Sequence, residues 1–98
     1  MKEEIKERFE HALTNSHLFD LVQQMKIEDI SQVQIYCFFE DFRNLLRESN
    51  READEDKIMD VMDYIVGWCS PHMKLFPEGL SNEEIKAFRF KQNVENNT

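Results

Sequence analysis

The chain has 98 residues, of which 41% are hydrophobic and 33% charged, and 20 acidic against 12 basic side chains give a net charge of −8. This composition is typical of one globular domain rather than a disordered chain, and the acidity disfavours nucleic acids and anionic membranes as partners. A basic protein partner is permitted. The charged amino terminus is no signal peptide, no apolar run could span a bilayer, and two cysteines make no disulfide framework, so we expect a cytoplasmic protein.

Apolar residues recur at three- and four-residue steps, and only two glycines and two prolines interrupt the chain. This pattern predicts an all-α protein, a small bundle of four to five helices in one domain over residues 1–98. The predicted helices span about 2–14, 16–25, 31–49, 55–69 and 82–92, followed by a frayed tail at 93–98.

The first two helices carry short apolar stripes. Asn15 or Ser16 is expected to end the first helix and to cap the second, and residues 26–30 are expected to form a connector. The predicted core positions are Ile5, Phe9, Ala12, Leu13, Leu18, Leu21, Val22 and Met25, with Phe19 at the edge of the stripe.

The third helix is the longest and most apolar, and the others are expected to pack on it. Ser31 is a good N-cap residue, and Gln34 can complete a capping box. By helical phase, Glu40 and Asp41 are expected to face solvent. The predicted buried stripe consists of Ile35, Phe38, Phe39, Phe42, Leu45 and Leu46.

Three residues near the start of this helix, Val33, Tyr36 and Cys37, lie roughly opposite its main stripe. The favoured interpretation is that another segment of the same chain covers them. The alternative is an apolar interface with a partner or with a second copy of the chain.

A polar connection over residues 48–56, in which Asn50 or Asp54 could cap, leads to the fourth helix. Because this connection is short, the third and fourth helices are predicted to form a central antiparallel pair. The predicted core positions are Ile58, Val61, Met62, Ile65 and Cys69, widened by Met59, Val66 and Trp68. After an irregular segment with a turn at 76–79, Ser81 and Glu84 repeat the capping box before the last helix.

An acidic line is the clearest surface feature of the sequence. Asp56, Asp60 and Asp63 recur at i, i+4 and i+7, opposite the apolar stripe of the fourth helix. They belong to residues 40–63, where nine acids stand against four basic residues. A solvated helix face is the commonest outcome, a surface for a basic partner is the functional alternative, and a metal site is least favoured because one face supplies too few converging oxygens.

Cys69 and His72 could supply half of a zinc site, or a thiol nucleophile with its base. No recognisable spacing supplies further ligands from His11, His17 or Cys37, so a core cysteine and a loop histidine are the favoured interpretation. Cys37 and Cys69 could approach each other between antiparallel helices, but they are expected to stay reduced. No metal ion or cofactor is predicted.

The sequence contains no P-loop, glycine-rich nucleotide turn or nucleophile elbow, which favours a non-enzymatic protein. The leading hypothesis is a small acidic protein-binding module, such as an inhibitor or immunity-type protein that neutralises a basic toxin. The alternatives are a homodimeric helical protein and an enzyme that uses the cysteine–histidine pair. The residues predicted to contact the partner are Glu52, Glu55, Asp56, Asp60 and Asp63.

Overall fold

Five α-helices make up most of the chain in the structure, a computed structural model that describes residues 2–67, 76 and 79–96. They are α1 (Glu3–Thr14), α2 (Leu18–Ile27), α3 (Gln32–Glu48), α4 (Glu52–Val66) and α5 (Asn82–Asn96). No strand occurs in these parts of the chain, so the predicted all-α bundle is confirmed. Within the same residues, no helix has the length and the apolar character needed to cross a bilayer.

The central element is the antiparallel pair of α3 and α4, as predicted. Residues 49–51 alone connect the two helices, so the chain must reverse at once. At the far end of the pair, the Gln32 side-chain amide donates to the Ile65 carbonyl oxygen at 2.9 Å. At the near end, Arg43 of α3 donates to Glu55 of α4. Helix α1 packs on α2, α2 packs on both central helices, and α5 packs on α3.

Helical periodicity identified the core correctly at most positions. The rings of Phe39 and Phe42 contact the ring of Phe9, and their centroids lie 4.7 and 4.8 Å from the Phe9 centroid. These contacts attach α1 to α3. Met59 is an exception, since it is exposed: it follows Ile58 directly and is turned about 100° away from the core face. The predicted core positions that are buried are Phe9, Ala12, Leu13, Leu18, Leu21, Val22, Met25, Ile35, Phe39, Phe42, Leu46, Ile58, Val61, Met62, Ile65 and Val66.

The capping box predicted before α5 is complete in the structure, whereas the one predicted before α3 has one of its two bonds. At the start of α3, the Ser31 hydroxyl accepts a hydrogen bond from the Gln34 amide at 3.3 Å. Before α5 the exchange is reciprocal: Glu84 N–H donates to the Ser81 hydroxyl and Ser81 N–H donates to the Glu84 carboxylate, each at 3.1 Å. These bonds satisfy amides that lack partners within their helices.

Three helices end in the same tight turn, and none of them uses glycine. Ser16, Asp29 and Asn50 have φ angles of 57°, 62° and 58°, and each follows a helix C-cap residue. The amide after each residue bonds back across the last helical turn, as in the Schellman motif. These turns make the connections between the helices short.

The same turns explain where the predicted helix bounds were wrong. Because Asn50 closes α3 instead of capping the next helix, α4 begins at Glu52 rather than at 55, and its first turn holds acids that suit the helix dipole. Helix α2 continues to Ile27, beyond the predicted end at 25, until Asp29 turns the chain. Helix α5 continues to Asn96, where a frayed tail was expected, because no proline or glycine interrupts it.

The substitution Ser16→Gly is expected to stabilise the protein by about 0.5 kcal/mol, because glycine adopts a positive φ without the steric penalty of a Cβ atom. Urea unfolding followed by circular dichroism would measure the change. Asn50→Gly is the matched control and should gain less, since asparagine already tolerates this conformation. A loss of stability in Ser16→Gly would show that the serine is not strained.

Candidate functional site

The exposed face of α4 carries an unneutralised acidic line. Glu52, Asp56, Asp60 and Asp63 are all exposed, and none of them forms an ion pair with any residue that the structure describes. The three aspartates extend along about 10 Å of the helix, given its rise per residue. We call Asp56, Asp60 and Asp63 the aspartate line.

The chain's arginines explain why this line stays unneutralised. Each of the five forms an ion pair with acids of its own chain, and none of these acids belongs to the aspartate line. The paired acids are Glu10, Glu28, Glu40, Asp41, Asp54 and Glu55. Apart from Glu48 at the end of α3, the acids of residues 40–63 that form no ion pair with the described residues therefore lie along one side of α4.

Glu55, one of the predicted contact residues, has a different environment. Its side chain is only 12% exposed, and its carboxylate accepts hydrogen bonds from Arg43 Nε and Arg47 Nη2, each at 3.1 Å. Desolvation disfavours the charged form of Glu55, but the two arginines outweigh it and hold the pKa of Glu55 below its ordinary value. This carboxylate therefore joins α3 to α4, whereas Glu52 stays exposed to solvent.

A groove lies beside the aspartate line, where the α1–α2 turn approaches α4. Its volume is about 280 Å³, and Asp60 is one of its lining residues. The ring of Phe19 stacks on that of Tyr64, with centroids 5.1 Å apart and an interplanar angle of 28°. The sequence pattern placed Phe19 at a stripe edge and did not single out Tyr64. Its position one helical turn after Asp60 is the signal that could have found it.

Helix α5 packs on α3 as well, at a surface away from the groove. The predicted apolar interface residues lie here: Cys37 is only 2% exposed, and Val33 and Tyr36 are half-buried. Arg89 of α5 donates to the Cys37 carbonyl oxygen at 3.2 Å, so a segment of the same chain lies over this region. Burial raises the pKa of the Cys37 thiol to about 11, so the thiol is neutral at pH 7.

Arg89 also corrects the expectation that Glu40 and Asp41 face solvent. Its Nη2 atom lies 2.9 Å from the Glu40 carboxylate and 2.8 Å from that of Asp41. Helical phase correctly places these acids outside the core of α1–α4. It cannot show that an arginine of another helix forms ion pairs with them.

The proposed cysteine–histidine site cannot be placed, because Trp68, Cys69 and His72 lie outside the described residues. His11 and His17 are exposed. Across residues 2–67, 76 and 79–96, no three histidine, cysteine or acidic side chains converge in a way that could hold a metal ion.

Comparison with known proteins gives no match to a family model, to a curated protein or to a solved structure.

Proposed function

We propose that this protein is a non-enzymatic, acidic interaction module that binds a basic protein through the exposed face of α4. The observation that carries the proposal is the aspartate line, which is exposed and forms no ion pair with any of the described residues. Carboxylates in this state attract a cationic surface over several ångströms and raise its association rate.

Within this class, the features best support an inhibitor or immunity-type protein that neutralises a basic toxin. A protein that acts on nucleic acid needs a cationic surface for phosphate contacts. An acidic domain of 98 residues with a net charge of −8 can cover such a surface and compete with the substrate for the same lysines and arginines. The inhibitor itself then needs no catalytic residue.

The charge distribution also suits rapid binding. Exposed ion pairs contribute only about 0–1 kcal/mol each to affinity, but their summed field orients the approaching partner. Because the arginines pair with other acids, among them Asp54 and Glu55 in the first turn of α4, they do not cancel the field of the aspartate line. Binding should therefore weaken as the salt concentration rises.

The test is affinity capture from a lysate of the source organism, followed by kinetic measurement with the purified captured protein. The test variant carries Asp56→Asn, Asp60→Asn and Asp63→Asn. The control carries Glu3→Gln, Glu4→Gln and Glu7→Gln, which remove the same charge from exposed positions on α1. We expect the wild-type and control proteins to capture a basic protein, and the association rate of the test variant to fall about tenfold at low salt.

An equal loss of binding in both variants would mean that only net charge matters and would reject α4 as the contact surface. An unchanged association rate in the test variant would also reject α4 as the contact surface, and the aspartate line would then be ordinary solvated surface.

A further inference from the structure

The groove beside the aspartate line combines an apolar floor with an aromatic wall. Leu13, Leu18 and Val61 form its floor and are otherwise buried. Phe19 is 40% exposed and stacks on Tyr64 to form the wall. Its volume of about 280 Å³ is at the lower limit for pockets that hold drug-sized ligands. The groove therefore suits a single side chain better than a larger ligand.

The charge at the groove selects the kind of side chain. Asp60 lines it, and Asp56 and Asp63 lie about one helical turn to either side on the same face. Among the described residues that line the groove, Asp60 and Lys57 are the charged ones and balance each other, so Asp56 and Asp63 beside it make the surroundings net negative. A purely apolar occupant would remove water from the Asp60 carboxylate without replacing its hydrogen bonds, which is costly.

Arginine suits both the apolar, aromatic lining of the groove and its acidic surroundings. Its aliphatic stem packs along apolar surface, its planar guanidinium stacks on aromatic rings, and its N–H groups donate to a carboxylate in two parallel bonds. Lysine has the charge and the stem, but its compact, strongly hydrated ammonium has neither the planar face nor the paired donors.

We propose that this groove receives an arginine side chain of the basic partner, with the guanidinium against the Phe19–Tyr64 ring pair and hydrogen-bonded to Asp60. The inference rests on the proposed function, because it assigns the anchoring point of the same surface. The aspartate line then accelerates encounter, and the groove holds one residue in place. Such a division is common, since buried anchors supply most of the affinity at interfaces.

The test uses the full-length, ¹⁵N-labelled protein titrated with capped tri-arginine and capped tri-lysine peptides, which carry equal charge. We expect the amide signals of Phe19, Asp60 and Tyr64 to shift with tri-arginine, and its Kd to be at least about threefold lower than that of tri-lysine. Phe19→Ala and Asp60→Asn should each raise the Kd for tri-arginine about three- to tenfold.

Two controls separate the groove from general electrostatics. Asp56→Asn removes the same charge outside the groove, and Phe90→Ala removes an exposed ring from α5, so each should change the Kd by less than its counterpart. Equal Kd values for the two peptides, with no effect of Phe19→Ala, would overturn the arginine groove and leave the acidic-face proposal standing. Selective tri-arginine binding in the groove, combined with unchanged binding of the captured protein by the triple aspartate variant, would reject the aspartate line as the contact surface and, because this variant lacks Asp60, the groove as the partner's anchor.

Discussion

Phe9→Ala is expected to destabilise the protein by about 3–5 kcal/mol, since it removes a ring from the centre of a close-packed core. Phe9 is 0% exposed and contacts Phe39 and Phe42 of α3, so the shortened side chain leaves a cavity on both sides. A domain of this size has a total stability of about 5–15 kcal/mol, so the variant loses a large fraction of it. Denaturant unfolding followed by circular dichroism would measure the change.

Phe90→Ala is the control for this experiment, because it makes the same chemical change where the ring is 71% exposed. Its effect should stay within about 0.5 kcal/mol of zero. If the two variants lost equal stability, Phe9 would not occupy the centre of the core, and its ring would not attach α1 to α3.

The sequence could predict the helices and the core because both depend on local rules. A stripe of apolar residues at helical spacing has only one face to bury, so Ile35, Phe42 and Ile65 could be assigned without knowing what they contact. Capping boxes are equally local, since Ser81 and Glu84 need only their own backbone. The antiparallel pair followed from the length of one connection.

The ends of α1, α2 and α3 were harder to predict, because these helices lack the glycine that commonly marks a helix end. A glycine after a helix is a strong stop signal, but serine, aspartate and asparagine fill that position here. Since asparagine and aspartate are also good N-cap residues, the sequence allowed Asn50 to begin the next helix as well as to end α3. Local sequence does not distinguish the two roles.

Electrostatic contacts between distant residues lay beyond sequence analysis altogether. The charge count over residues 40–63 does not distinguish acids that form ion pairs from acids that do not. In the structure, Glu55 pairs with two arginines and Asp41 pairs with Arg89 of another helix. The groove is a similar case, since Phe19 and Tyr64 meet only because α2 packs on α4. The acidic face is therefore narrower than the sequence indicated, but it has an aromatic neighbour that the sequence did not reveal.

Helix α5 is attached to the bundle by half-buried apolar residues and by the ion pairs of Arg89. None of its described side chains is fully buried, and Ile85 and Phe88 are only half-buried. Arg89 donates to Glu40, Asp41 and the Cys37 carbonyl, and so makes the described ion pairs between α5 and α3. Removing its guanidinium should let α5 open from α3 more often.

Cys37 can report this opening, because its buried thiol, with a pKa raised to about 11, reacts slowly while α5 is in place. In a Cys69→Ser background, which leaves one thiol, Arg89→Met is expected to raise the labelling rate of Cys37 by a disulfide reagent about tenfold, equivalent to about 1.4 kcal/mol of lost docking free energy. Lys91→Met removes the same charge from an exposed position on α5 and should leave the rate nearly unchanged. A wild-type labelling rate in Arg89→Met would mean that the core of the other helices, and not the Arg89 contacts, protects Cys37.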